Sequence, residues 1–171
     1  MQQVRPAVNA DLPALIKAFG ERYYFEDRLA RPPLHGVLFV LPGDDAAALG
    51  AAFVRMVPAE EWELRERLRG VPILSRLQVR KDVRRQGVAS AIMKAAEEYV
   101  LSKGRMRIAL GVTSNNAAAR RLYAAREYVE WDFGQVNAMV VDYLDDGRKA
   151  FSTERCHIMV KALGAAVPAR V

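Results

Sequence analysis

The residues best equipped for chemistry sit in one turn, Arg84-Arg85-Gln86-Gly87-Val88-Ala89-Ser90. A helix that starts near Gly87 or Val88 leaves its first N–H groups without intrahelical partners, and its dipole favours an anion there. Gly87 lets a ligand reach the backbone with no side chain in the way. Arg84 and Arg85 add fixed positive charge that can clasp phosphate oxygens, so the turn reads as a pyrophosphate cradle or, more plainly, as a solvated basic turn. Other reactive side chains are sparse. Cys156 is the only cysteine, and His35 and His157 are the only histidines. A lone thiol between Arg155 and His157 reads as a half-buried strand residue before a nucleophile. Without a Cys/His cluster, no metal site is expected.

Two elements must position the turn. Upstream, residues 73–79 place Ile73, Leu77 and Val79 at the period of a strand. Downstream, Val88, Ala91, Ile92, Ala95 and Tyr99 fall on one face of a helix that stops at Lys103 and Gly104. The remaining chain extends this unit on both sides. Residues 3–8 read as a strand, followed by a helix with Leu12, Leu15, Ile16 and Phe19 on one face, Asn9 or Asp11 as its cap and Pro13 in its first turn. Tyr23, Tyr24 and Phe25 continue helical structure until Arg31, Pro32 and Pro33 end it. Residues 36–41 and 48–57 are apolar strands around Pro42-Gly43-Asp44-Asp45, a hairpin pattern. Residues 58–70 form a polar helical insertion in which Trp62, Leu64 and Leu68 are candidates to line a pocket.

After the cradle unit come a strand at 106–112, the turn residues Thr113, Ser114, Asn115 and Asn116, and an alanine-rich helix at 117–126. A short extended stretch at 130–133 and a closing hairpin of 136–143 with 151–163 complete the chain. The order β-α-α-β-β-β-α-β-α-β-β predicts an α/β (α+β) fold, with a mixed, mostly antiparallel sheet of about 6–7 strands flanked by helices.

A chain of 171 residues, 51% hydrophobic and 27% charged, is expected to fold as one soluble domain over 1–164, with 165–171 as a disordered tail. No apolar run approaches the ~20 residues that span a bilayer. The first residues lack an apolar core with a cleavage site, so a cytoplasmic location is expected. The net charge of +6 and pI near 9.7 favour phosphates without saying whose. No long basic tail and no aromatic-basic interleaving support a nucleic-acid partner. Gly87, the only glycine of its turn, also falls short of the G-x-G-x-x-G pattern of dinucleotide-binding folds.

Two separated pieces carry a family resemblance. Leu77-Gln78-Val79 followed by Arg84-Arg85-Gln86-Gly87-Val88-Ala89 resembles the acyl-CoA-binding motif of the GCN5-related N-acetyltransferases (GNAT). Asn116, Ala119, Leu122 and Tyr123 are similar to that family's Asn-x-x-Ala-x-x-Leu-Tyr segment, one strand and one helix later. His157-Ile158-Met159-Val160-Lys161 also resembles the family's last strand, and the likeness covers about 4–163. The chain departs from the family where it has Glu127-Tyr128 in place of the common Gly-Phe, and it uses Ala89 as the permitted alternative to glycine.

The resemblance implies transfer of an acetyl group from acetyl-CoA to an amine, by direct attack in a ternary complex. Backbone groups of Leu77 and Val79 would pair with the pantetheine arm, with Gln78 between them. The amides from Gln86 to Ser90 would hold the pyrophosphate, and strands splayed at Val79 and Leu110 would admit the cofactor. Asn116 would hold cofactor, cap its helix, or both, beside Ala119. Tyr123 corresponds to the general acid that protonates or hydrogen-bonds the departing sulfur, the alternative being a core aromatic. Its own acidity near 10 against about 8.5 for a thiol makes full transfer cost roughly 2 kcal/mol. The strand before the cradle carries no carboxylate, so the base is expected from Glu26, Asp27, Glu60, Glu61 or an ordered water. The amine acceptor, small molecule or peptide, is open, and a homodimer is compatible with the fold. The competing reading is a CoA-binding or regulatory domain that no longer catalyses transfer.

Overall fold

In the computed structural model, residues 2–164 are described; the expectation of a tail over 165–171 lies outside them. The chain runs β1 (Arg5–Pro6), α1 (Leu12–Phe19), α2 (Arg22–Leu29), β2 (Gly36–Leu41), β3 (Gly50–Arg55), α3 (Trp62–Arg67), β4 (Ile73–Val79), α4 (Val88–Ser102), β5 (Arg107–Thr113), α5 (Ala117–Ala125), β6 (Val129–Glu130), β7 (Val136–Tyr143) and β8 (Lys149–Ala162). The eight strands form one sheet in the order β1-β2-β3-β4-β5-β8-β6, with β7 also paired to β8. Among the described residues only β4 and β5 run parallel; every other pairing is antiparallel. The mixed, mostly antiparallel sheet flanked by helices is the architecture the element order predicts. The strand beyond the expected count is β6, which pairs at Val129 and Glu130 instead of over 130–133.

Both faces of the sheet are covered, which is why β2 and β3 are apolar on both sides of the pleat. On one face α4 packs Ile92, Met93, Ala96 and Val100 against Val37, Phe39, Val54 and Leu74. Ile92 and Met93 are fully buried, and truncating either to alanine costs about 2–5 kcal/mol. The close approach needs Gly50, where a Cβ would lie 2.6 Å from Ile92 Cδ1. On the other face α1 and α2 set Leu15, Tyr24 and Phe25 on Leu38, Val40, Ala51 and Phe53. Further along that face Leu64 and Leu68 of the α3 region cover Ala109, Val136, Cys156 and Ile158.

Three local expectations are corrected. The cap of α1 is not a side chain: Asn9–Asp11 forms a 3-10 turn, and the Asp11 carboxylate instead accepts from the Val8 N–H at 2.8 Å and from Arg5. Trp62 is 61% exposed and lines neither of the two cavities described below, whereas Leu64 and Leu68 line one of them. Cys156 is buried, not half-buried, because α3 closes over β8.

Candidate active site

β4 is a strand with one residue too many. Opposite β3, Ala51 pairs Gln78 and Phe53 pairs Ser75, so Arg76 and Leu77 together face the single residue Ala52. Arg76 takes up the excess with φ 49°, an uncommon conformation for a side-chain-bearing residue. Beyond the bulge β4 stays with β3 to the Gly50–Val79 pair, while β5 stays with β8 to the Thr113–Cys156 pair. The two parallel strands therefore meet only at Ile73–Ala109 and Leu74–Leu110 and then part. The wedge between them exposes main-chain groups of β4 from Ser75 to Val79 that have no β5 partner.

On the α4 side the wedge opens into a cleft of about 1050 Å³. Leu77, Gln78, Val79, Arg84, Arg85, Gly87, Val88, Ala89, Ser90, Asn116, Ala119 and Tyr123 all line it, so twelve residues singled out from sequence share one cleft. Gln86 alone of that set does not; its amide turns back to the Asp82 carbonyl at 3.4 Å. Phe19, Lys81 and Leu122, to which the sequence reading gave no site role, also line its walls. The cradle's backbone is bent by Arg85 (φ 62°) and Gly87 (φ 82°), both left-handed. Gly87 precedes Val88, and the first bond of the helix is Ala91 N–H to the Gly87 carbonyl at 3.0 Å. The N–H groups of Val88, Ala89 and Ser90 therefore have no intrahelical acceptor. A Cβ built on Gly87 meets nothing within 4 Å, so the space at the start of α4 is open. Arg84 Nε points to the Val79 carbonyl at 3.4 Å, folding the cradle back onto β4. Arg80 is spent on Asp45 and Asp82, leaving Arg84, Arg85 and Lys81 as the cleft's cations outside any ion pair among the described residues.

α5 delivers the other half of the cleft. Asn116 does cap it, its Oδ1 accepting from the Ala119 N–H at 3.1 Å. Seven residues on, Tyr123 packs its ring 6.2 Å from that of Tyr128, and burial raises its hydroxyl above the ordinary tyrosine range. The family departure at Glu127-Tyr128 has a structural counterpart. Glu127 adopts φ 71° without glycine, and Tyr128 donates its hydroxyl to Glu97 Oε1 at 3.1 Å. Glu97, 8% exposed on α4, also receives Arg126 and Lys161, each at 3.0 Å. This buried cluster ties α4, the end of α5 and β8 together behind Tyr123.

Across the wedge, on the α2 and α3 side, lies a second cavity of about 380 Å³. It reaches the same parting of strands at Ser75, Arg76, Leu110 and Gly111. Of the expected base candidates, Glu26 pairs with Arg22, and Asp27 is held by Arg28 and Arg31; neither lines this cavity. Glu60 and Glu61 do, Glu60 lying 3.7 Å from Arg55. Glu154 of β8 joins them, a carboxylate that sequence reading passed over. Its signal was the alternation Glu154, Cys156, Ile158, which puts all three on one face of β8.

The profile of the Acetyltransferase (GNAT) family matches residues 3–128, a span holding both the cradle and Tyr123. Curated proteins give no match. Among solved structures, the chain resembles the ribosomal-protein-S18-alanine N-acetyltransferase of Escherichia coli, with TM-score 0.66, 18% identity, and 100% of this chain and 99% of that one covered. Arabidopsis thaliana NAA60 in complex with acetyl-CoA matches with TM-score 0.68 at 16% identity, covering 95% of this chain and 98% of that one. Nourseothricin acetyltransferase matches with TM-score 0.55 at 23% identity, covering 76% and 66%. At these identities the likeness speaks for the fold. The family profile, spanning most of the chain and laid over the splayed strands and their helix-borne cradle, makes this chain a member of the GNAT acetyltransferase family.

Proposed function

We propose that the chain is an N-acetyltransferase that moves an acetyl group from acetyl-CoA to a primary amine, within a single domain over residues 1–164. The observation that carries this reading is the parting of β4 and β5 past Leu74 and Leu110, directly above the cradle at Arg84 to Ser90. The residues present fit the cofactor: open space at Gly87, first-turn N–H groups of α4, two arginines outside any ion pair among the described residues and a wedge with unpaired strand backbone. A solved relative carrying acetyl-CoA supports the same choice of donor.

In this reading the first-turn amides of α4, with Arg84 and Arg85, bind the pyrophosphate, and the free edge of β4 around Leu77 and Val79 aligns the pantetheine arm. A strand N–H near Val79 stabilises the oxyanion that forms as the amine attacks the thioester. Tyr123 offers its hydroxyl to the departing sulfur. Burial raises its pKa and so widens the gap to a thiol, and it acts by donating a strong hydrogen bond in preference to complete proton transfer. Isothermal titration with acetyl-CoA, together with CoA release across a panel of amines, tests the proposal. Tight acetyl-CoA binding with turnover that collapses in Tyr123→Phe supports it. Binding without turnover of any amine points to the regulatory alternative, and no binding sinks both.

A further inference from the structure

The strap across the second cavity limits what can enter it. β7 pairs only with β8, and its other edge is already engaged. The Met139 N–H donates to Glu61 Oε1 at 2.8 Å, from the loop before α3. The Val141 carbonyl accepts from Arg76 Nη2 at 2.7 Å, and Asp142 accepts from the same nitrogen at 3.0 Å, so the β4 bulge holds β7 from the other side. An extended peptide docking along this edge would need those same main-chain groups. What remains between the two anchors is a compartment of about 380 Å³.

Its floor lies beside the wedge. Gly111, next to the last β4–β5 pair, presents no side chain, and a Cβ there would stand 3.8 Å from Cys156 Sγ. Cys156 is 6% exposed and turned into the cavity, and its thiol has no hydrogen-bond partner among the described residues. Glu61 and Glu154 both bear on it: burial first, then the charges of Glu154 and Glu61, hold the thiol above its ordinary range. The other charges facing this end are committed elsewhere. Glu60 sits with Arg55, Arg76 with Glu21 and Asp142, and Arg28 and Arg31 with Asp27, while Lys149 lies five residues away along β8. Among the described residues Glu61 and Glu154 are thus two carboxylates without a cationic partner, and both line the cavity around Cys156.

We propose that the acceptor is a compact amine whose ammonium group sits between Glu61 and Glu154, and that Glu154 takes its proton. This rests on the transferase reading above. The ammonium loses two protons in a turnover. One passes to the Glu154 carboxylate and on to water, freeing the nitrogen lone pair. The other ends on the CoA sulfur, as the C–N bond forms and the C–S bond breaks with its electron pair leaving on sulfur. The step matters because an alkylamine is only about 0.1% neutral near pH 7.4.

The test measures CoA release by the full chain with acetyl-CoA and putrescine, spermidine, tyramine or lysine, beside hexapeptides with free alanine or methionine N-termini. A small amine is expected to exceed the peptides in kcat/KM by about tenfold or more, the order that one missing interaction supplies. Glu154→Gln should lower kcat about 100-fold at pH 7.5, the usual share of general-base help, with acetyl-CoA affinity unchanged. That deficit should shrink to under about tenfold at pH 9.5, where about a tenth of an alkylamine is already neutral. Glu61→Gln should raise KM for the amine, and Glu66→Gln on the exposed face of α3 should change nothing. Peptides that outrun every small amine, no turnover of any small amine despite acetyl-CoA binding, or a Glu154→Gln deficit equal at both pH values would each overturn the inference. Loss of acetyl-CoA binding in the wild-type chain would instead remove the transferase reading beneath it.

Discussion

Gly87 offers the most discriminating test of the cradle, because the chain contains its own control. Gly87 and Gly104 flank α4, at φ 82° and 74°, and a Cβ on either meets nothing within 4 Å. Alanine at either position forces a side chain into the left-handed region, a strain of about 1–2 kcal/mol. The more restricted unfolded chain offsets about 0.4–1 kcal/mol of that. Each substitution should therefore cost about 1 kcal/mol, which for 171 residues is a fall in Tm of about 3 °C. Only Gly87 opens into the cleft. A tryptophan there would displace phosphate from at least two first-turn amides of α4. Hydrogen bonds to charged groups contribute about 1.5–3 kcal/mol each, so binding should weaken by about 3–6 kcal/mol, roughly 100- to 10,000-fold in Kd. Titration calorimetry with acetyl-CoA reads the affinity, and a thermal melt reads the fold. Gly87→Trp with wild-type affinity, or Gly104→Trp with an equal loss, would refute the assignment of the open space to phosphate.

Tyr123→Phe should lower kcat with acetyl-CoA affinity kept, by a similar factor at pH 7 and pH 9, since burial keeps the hydroxyl protonated across that range; a deficit that vanishes at pH 9 would count against it. Asp27 is pushed up by burial but pulled further down by Arg31 and Arg28, so its folded-state value lies below the unfolded one. Its stabilisation is therefore present above about pH 4 and lost as pH falls through the folded value. The Tm difference between wild type and Asp27→Asn should be full at pH 7 and close as the solution is acidified, and a gap that persists at pH 2 would contradict the pairing. Glu97→Ala would strand Arg126, Lys161 and the Tyr128 hydroxyl in a largely buried site, at a cost on the order of 3 kcal/mol by chemical denaturation. Glu97→Gln, which still accepts from Tyr128, should cost less, and equal losses would show that charge is not what the cluster needs.

The parts of the site written in neighbouring residues were legible in the sequence. The cradle needs two arginines, a left-handed glycine and a helix start, and Arg84 to Val88 supply these within one turn. The Asn116 cap is local in the same sense, its side chain reaching three residues on to Ala119. Helical spacing then fixes that Asn116, Ala119 and Tyr123 share a face, and they do share a cleft. The family departure at Glu127-Tyr128 was visible too, but not its partner, since Glu97 lies a helix and a strand away on α4.

Tertiary structure alone decided what opposes what. Alternation at Ile73, Leu77 and Val79 reads as a regular strand, and only pairing with β3 exposes Arg76 as the extra residue that turns β4 away from β5. The cavity's carboxylates show the same division. A search through loops near the cradle reaches Glu26, Asp27, Glu60 and Glu61; in the fold the first three are ion-paired, and only Glu60 and Glu61 line the second cavity. Glu154, far along the chain, comes to line the same cavity as Glu61 because α3 folds over β8 and β7 pairs with β8 while bonding to Glu61. Short-range periodicity fixes which face a residue is on, whereas which charges survive unpaired depends on contacts between elements distant in sequence, and the sequence pattern does not encode those contacts residue by residue.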